Sequence, residues 1–275
     1  MGASHPAADG TVRSVRLARW LAASVLLCLS LPAAALNVPI LVYHRFGAEA
    51  TDSMTVRTAA FEGQLARIKA GGYRVIPLRQ LIEHLLGRAP PPPLRSIVIT
   101  VDDAHRSVYT QLLPLARRHR LPFTLFVYPS AISNAAYAMT WEQLEALRDS
   151  GLADIQSHTY WHPNLLRERR QRTPEDFARF ADWQLRHSRQ VLERRLGIHV
   201  DLLAWPFGLQ DADLRARAAR AGYVAAFTLE HRPVRAGDDL LALPRYLITD
   251  AVRPAAFAAI LQQAGPPAGG GGTRP

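Results

Sequence analysis

The chain has 275 residues, 48% of them hydrophobic, and 33 Lys and Arg against 23 Asp and Glu give a formal net charge of +10. That length supports one sizeable core, as in single-domain α/β barrels, and beyond the N-terminus no apolar run is long enough to cross a membrane. A basic balance favours anionic partners, but the excess is nearly all Arg, is spread along helices and accompanies no nucleic-acid motif, so nucleic acid is not expected as a partner.

Residues 1–35 read as an export signal. Arg13, Arg16 and Arg19 precede the apolar stretch Trp20–Ala35, "WLAASVLLCLSLPAAA", which ends in a small-residue site at Ala33 and Ala35. An uncleaved anchor helix is the rival, but the apolar core is short and Pro32 sits near its end. Cleavage near Ala35 would remove three Arg and one Asp, and with them Cys28, the only cysteine. The flanks "LLCLS" do not match a lipoprotein cleavage box. The mature protein would then have no disulfide, thiolate or cysteine-bound metal. The expected product is periplasmic or secreted, monomeric, and without a membrane span.

Strand-like and helix-period segments then alternate. Val38–His44 reads as a strand, Thr58–Ala70 as an amphipathic helix stopped by Gly71-Gly72, "YRVIPL" as a strand and Leu78–Leu86 as a helix. "RAPPPPLR" is a stiff surface connector. Ser96–Val101 is apolar at nearly every position, as in a strand buried on both faces of a parallel sheet. Helices are expected over Val108–Arg118, Trp141–Asp149, Pro174–Leu196, Asp211–Ala221 and Pro254–Gln263. Strands are expected in "FTLFVYP", "ADIQSH", "DLLAWPFG", "VAAFT" and "LALPRYLI". The tail 265–275 is low-complexity and reads as disordered. The expected fold class is α/β, an irregular (β/α) barrel with about seven strands, in a domain spanning 36–264; an open doubly wound sheet is the alternative. A barrel requires catalytic groups at the C-terminal ends of its strands.

Polar residues fall at those ends. Asp102 and Asp103 close the Ser96–Val101 run, His158 closes "ADIQSH" with His162 four residues on, and His44 closes the first strand. Two histidines at this spacing can reach one metal from a helical turn or a tight loop. With one aspartate they make a site for a divalent ion, zinc first, with iron, cobalt and nickel also compatible. The ion would relieve the repulsion within the Asp pair, leaving one carboxylate as ligand and the other as base. Separately, an H-x-x-x-H spacing is common on exposed helices and an Asp pair is often a turn; their conjunction at two strand ends is what carries the reading.

At these residues the chain resembles the polysaccharide deacetylase family (carbohydrate esterase family four). "TVDDAH" resembles its T-F-D-D-G motif and "SHTYWHP" its S-H-[ST]-x-x-H motif. "AWPFG", Ala204–Gly208, and "VPILVYHRF" resemble a branch that includes bacterial poly-β-1,6-N-acetylglucosamine deacetylases. The resemblance spans about residues 38–250. It implies Asp102 as catalytic base, Asp103, His158 and His162 as metal ligands, and an oxyanion donor at the backbone N–H of Phe207. The implied activity is metal-dependent hydrolysis of N-acetyl groups on an extracytoplasmic glycan such as poly-N-acetylglucosamine. Peptidoglycan, chitin oligomers and O-acetyl xylan (an O-acetyl esterase) are alternatives within the class. A non-catalytic glycan-binding module is the alternative outside it. A metallo-hydrolase of another bond, such as a peptide amide, is a third reading, disfavoured because the chain has no H-E-x-x-H motif.

The chain departs from the family pattern. Ala104 replaces Gly, which matters if positive φ is required there; Val101 and Phe207 replace Phe and Tyr. The usual arginine that tethers the base is Ala204 here, and the late L-x-H histidine is missing from the region matched, "LPRYLIT". Arg245 is expected to supply the tether, and His44 to line the site and share in proton transfer; a surface Arg245 and a merely packed His44 are the competing readings. Trp205, Trp161 and Tyr160 are expected as stacking surfaces for sugar rings, with barrel packing as their alternative.

Overall fold

The computed structural model describes residues 1–3 and 37–265. The export segment with Cys28, and the tail beyond Gly265, lie outside the described residues.

The β-rich runs become seven strands: β1 (Ile40–Tyr43), β2 (Ser96–Asp102), β3 (Phe123–Val127), β4 (Ala153–Ser157), β5 (Leu202–Ala204), β6 (Ala225–Phe227) and β7 (Tyr246–Leu247). They are parallel throughout, in the order β6-β5-β4-β3-β2-β1-β7. Leu243, just ahead of β7, bridges back to Phe227. Thr228 N–H donates to Leu243 O and Leu243 N–H to Ala226 O, both at 2.8 Å. The sheet thus curls into an irregular (β/α) barrel whose β6–β7 seam is this short bridge.

Among the described residues, eight α-helices accompany the strands: α1 (Thr58–Ala70), α2 (Leu78–Leu85), α3 (Leu113–His119), α4 (Trp141–Asp149), α5 (Leu165–Arg170), α6 (Pro174–Leu196), α7 (Ala212–Arg220) and α8 (Pro254–Gln262). Local chemistry sets several ends. Thr140 and Gln143 form a reciprocal capping box on α4. Thr173 caps α6 ahead of Pro174, and Gly197, at φ +63°, ends it.

Side-chain alternation divides the core. Ile97, Ile99 and Val101 of β2 pack in a cluster with residues of α1, α4 and α6, whereas Val98 joins Ile40, Phe126, Leu202, Ala204 and Phe227 in a separate interior cluster. Leu78, Leu81 and Ile82 of α2 belong to this interior set. Since strand side chains alternate, the parity that points Val98 inward also points Thr100 and Asp102 inward.

Several expected elements differ from those observed. Pro114 has no N–H to return to Thr110, and the helix expected from Val108 opens as a π-turn over Val108–Leu112 before α3. The run "LALPRYLI" shrinks to Tyr246–Leu247 behind a 3₁₀ turn, because Pro244 cannot donate to a ladder. The strand expected in "YRVIPL" forms only over Arg74–Val75, parallel to the start of β2. Two short pairings were not anticipated: Asn37–Val38 lies antiparallel to Val234–Arg235, and Arg45–Gly47 parallel to Thr55–Arg57.

Candidate active site

Asp102 ends β2 and is buried, and Arg245, which precedes β7, is fully buried beside it. Two parallel hydrogen bonds join them: Arg245 Nη1 donates to Asp102 Oδ1 and Nη2 to Oδ2, each at 2.8 Å. The guanidinium also donates to Thr228 O (3.1 Å) and Thr100 Oγ1 (3.3 Å). Its carbon lies 5.4 Å from the Phe126 ring centre and 5.9 Å from that of Phe227. Burial is the largest single influence and would push the Asp102 carboxyl up, but the charge of Arg245, its hydrogen bonds and the neighbouring His158 and His44 together outweigh it and hold the group down to about 2.

Asp103 turns the chain with φ +74°. Its Oδ1 lies 3.6 Å from His158 Nε2 and 3.6 Å from His162 Nε2, yet this buried oxygen has no hydrogen-bond partner among the described residues. Burial pushes its pKa up. His158 Nδ1 sits 2.8 Å from Ala204 O. A carbonyl only accepts, so Nδ1 carries the proton and Nε2 presents its lone pair toward Asp103. Burial pushes this imidazole down to about 3, which keeps it neutral. His162 is likewise shifted down by burial.

The histidines sit in a loop rather than on a helical turn. Thr159 and His162 both take positive φ, at 63° and 61°, and His162 N–H donates to Thr159 Oγ1 (3.2 Å). The three ligand atoms of Asp103, His158 and His162 fall within 4.8 Å of one another. An orphaned carboxylate oxygen facing two imidazole nitrogens fits a divalent cation: the donor types suit zinc and its neighbours, and the ion would satisfy the unpartnered oxygen.

His44 follows β1, half-buried, with its Nδ1 buried and unpartnered among the described residues. Phe207 lies in the "WPFG" turn at φ +59°, its ring 4.7 Å from that of His162. The turn's own hydrogen bonds run from Gly208 N–H to Trp205 O and from Leu209 N–H to Pro206 O, so the Phe207 N–H stands outside them. Gly208 is required there: at φ +68° a Cβ would meet Leu229 N at 2.6 Å.

The structure thus brings together Asp102, Asp103, His158, His162, His44, Arg245 and Phe207. It does not bring in Trp205. Ala204 points inward, so Trp205 points outward into the helix-side cluster, fully buried, with its indole N–H donating to Leu241 O at 2.9 Å. The expectation that it stacks on sugar is corrected to packing. Trp161 lies beside the site, packed edge-on against Phe180 of α6. His231, in the triplet Leu229-Glu230-His231, is exposed and packs against Tyr246 rather than any group of the site. Tyr128 was missed by sequence reasoning. It follows β3, its ring is 5.3 Å from that of His162, and its hydroxyl is 2.9 Å from that of Tyr137. Its position one residue past a strand end was the available signal.

These features define an α/β-barrel protein with an acid and histidine cluster at the C-terminal ends of its strands. A family model described as polysaccharide deacetylase matches residues 89–226, and the chain belongs to that family: it is a hydrolase, a glycan deacetylase. It is 23% identical over 209 residues to the poly-β-1,6-N-acetyl-D-glucosamine N-deacetylase of Staphylococcus epidermidis, covering 74% of this chain and 71% of the relative. The Staphylococcus aureus protein of that name (strain N315) is 21% identical over 213 residues, covering 76% and 73%. Among solved structures, the deacetylase PplD of Streptococcus pyogenes, in complex with acetate, shares the fold with a TM-score of 0.73 at 22% identity, covering 82% of this chain and 99% of that one. IcaB from Ammonifex degensii does so with 0.71 at 23%, covering 83% and 97%.

Proposed function

We propose that the chain is a divalent-metal-dependent N-deacetylase that hydrolyses N-acetyl groups of an extracytoplasmic, poly-N-acetylglucosamine-like glycan to acetate and free amine. One observation carries this reading: the unpartnered Asp103 oxygen facing two imidazole nitrogens, next to a carboxylate clamped by Arg245. The names of the staphylococcal relatives support the glycan, and the basic-then-apolar segment 1–35 supports export ahead of a catalytic domain over 36–264.

Asp103, His158 and His162 would hold the ion, which when bound polarises the acetyl carbonyl and acidifies its water. Asp102 accepts the proton of the attacking water on a carboxylate oxygen. Arg245 is a positioning residue: it fixes the carboxylate plane and keeps the group ionised. The Phe207 N–H donates to the oxygen that gains charge as water adds to the carbonyl carbon. The C–N bond then breaks and the nitrogen takes up a proton, a transfer in which His44 takes part from its place beside both aspartates.

The test incubates the metal-loaded protein with N-acetylglucosamine oligomers and assays acetate, with Asp102→Asn as control. Acetate release that the substitution abolishes is expected. No acetate from any N-acetylated glycan would overturn the reading.

A further inference from the structure

Beside the site, the loop that carries both histidines rests on one stripe of α6. The Tyr160 and Trp161 N–H groups both donate to Gln184 Oε1, each at 3.2 Å. Their side chains then splay to either side: Trp161 packs edge-on against Phe180 (5.9 Å), and Tyr160 packs against Trp183 (4.8 Å) and His187 (4.6 Å). Phe180, Trp183, Gln184 and His187 are spaced i, i+3, i+4 and i+7, so they share a helix face about 10 Å long.

This face is not closed over. Trp161 is 45% exposed and Trp183 is 47% exposed, although Trp183 is stacked on His187 at 4.6 Å and 18°. A shallow, open groove of about 400 Å³ runs past it on the solvent face of α6 itself, every lining residue belonging to that helix: Arg179, Asp182, Trp183, Arg186, His187 and Gln190. Flat, exposed rings with guanidinium and amide donors between them suit a sugar chain: the rings cover the apolar faces of pyranoses and the donors reach hydroxyl and acetamide oxygens. The groove's carboxylate, Asp182, is already engaged by Arg217 (3.0 Å) and Arg186 (3.8 Å). Asp176 is engaged by Arg179. The groove therefore offers no free anion to hold a cationic amino sugar, and it fits the neutral, N-acetylated form.

We propose that the Tyr160–Trp183–His187 shelf and its groove on α6 form an accessory subsite that binds an acetylated stretch of the polymeric glycan while another residue of the same chain occupies the catalytic mouth. The proposal rests on the deacetylase reading above and adds a length requirement to it. The ligand loop joins the two sites directly, since Tyr160 lies between His158 and His162. A substrate long enough to reach the shelf gains affinity, and a short one does not.

The test uses the metal-loaded full chain and Trp183→Ala, with N-acetylglucosamine oligomers of increasing length. Acetate release gives KM and kcat, and calorimetric titration gives binding. In the native protein KM falls as the oligomer lengthens. Trp183→Ala is expected to raise KM about tenfold on the long oligomers, a loss of about 1.4 kcal/mol. It should leave kcat and the KM of the shortest substrate unchanged, and Trp183→Phe should restore most of the effect. A purely structural role would lower kcat at every length, and that result overturns the proposal. So does an unchanged length dependence, or a concentration-dependent dimer that Trp183→Ala abolishes, which would assign the face to a second copy. If no acetate forms at all, the deacetylase reading fails on its own, and titration still decides the subsite: equal binding of long acetylated oligomers by both proteins overturns it.

Discussion

Arg245→Met removes a charge from a fully buried pair while keeping much of the side-chain volume. Arg245 makes four hydrogen bonds, two of them to Asp102 at 2.8 Å, and the variant strands that carboxylate in the barrel interior. Breaking a buried pair from one side costs about 3–5 kcal/mol, which lowers the melting temperature of a domain this size by roughly 6–20 °C. The pH dependence gives a sharper test. In the native protein Asp102 titrates at about 2, below its ordinary 3.8, so its contribution is complete above 3.8 and disappears as pH falls through 2. Without Arg245, burial dominates and the folded pKa rises above the unfolded one. The variant's penalty is then small in acid and grows as pH rises. Thermal unfolding of both proteins between about pH 3 and about pH 6 should show the stability gap widening with pH. Arg245→Lys, which keeps the charge but loses the planar fork, should fall between them. A gap that stays constant across that range, or a loss under about 1 kcal/mol, would refute the claim that Arg245 neutralises Asp102.

Removing divalent ions with a chelator should abolish acetate release and lower the melting temperature, with recovery on adding zinc. An ion at a hundred times its dissociation constant stabilises by about 2.7 kcal/mol, and His158→Ala should lose that stabilisation; a melting temperature indifferent to metal would count against the ligand set. Trp205→Ala should cost about 3–5 kcal/mol of stability through the cavity it leaves. Trp205→Phe should leave KM unchanged, and a KM increase in that variant would return the residue to the substrate surface. Ala104→Gly sets relief of about 1–2 kcal/mol of left-handed strain against about 0.8 for a buried methyl and about 0.5–1 for glycine's freedom in the unfolded chain. Its melting temperature should therefore lie within about 4 °C of the native value, as calorimetry would show.

Legibility followed the physical rule behind each signal. β2 was readable because all seven of its residues are buried, and burial on both faces leaves an unbroken apolar run. The site residues were readable because a parallel barrel gathers its strand ends, so Asp102, His158 and His44 could be grouped without knowing the packing. Trp205 shows what strand-end reasoning omits. Adjacent strand positions face opposite ways, and Ala204 at the interior commits Trp205 to the helix side. Read with the same parity, "FTLFVY" places Phe126 inward and Tyr128 two residues on, which would have added Tyr128 to the site. The pairing of Val234–Arg235 with Asn37–Val38 was not readable, because two-residue strands far apart in sequence leave no periodic trace.

The backbone of the mouth explains why the cluster can be held without a helix. Among the described residues, eight non-glycine positions take positive φ, and five of them, Asp103, Ala104, Thr159, His162 and Phe207, lie in the loops after β2, β4 and β5. Such conformations cost about 1–2 kcal/mol each for residues with a Cβ, and they persist only where surrounding contacts determine them. Those contacts are present. Ala104 O accepts from Met139 N–H at 3.1 Å, Thr159 N–H donates to Ser157 Oγ at 3.2 Å, and Gln184 holds the next two amides. Each left-handed residue turns its loop sharply, so that a side chain which would otherwise continue past the strand end folds back over the mouth. Asp103 can thereby face His158 and His162 although its neighbour Asp102 points down the barrel toward Arg245. The two adjacent carboxylates are separated in role by one backbone turn, with one fixed to a guanidinium in the interior and the other left free to meet a cation at the rim.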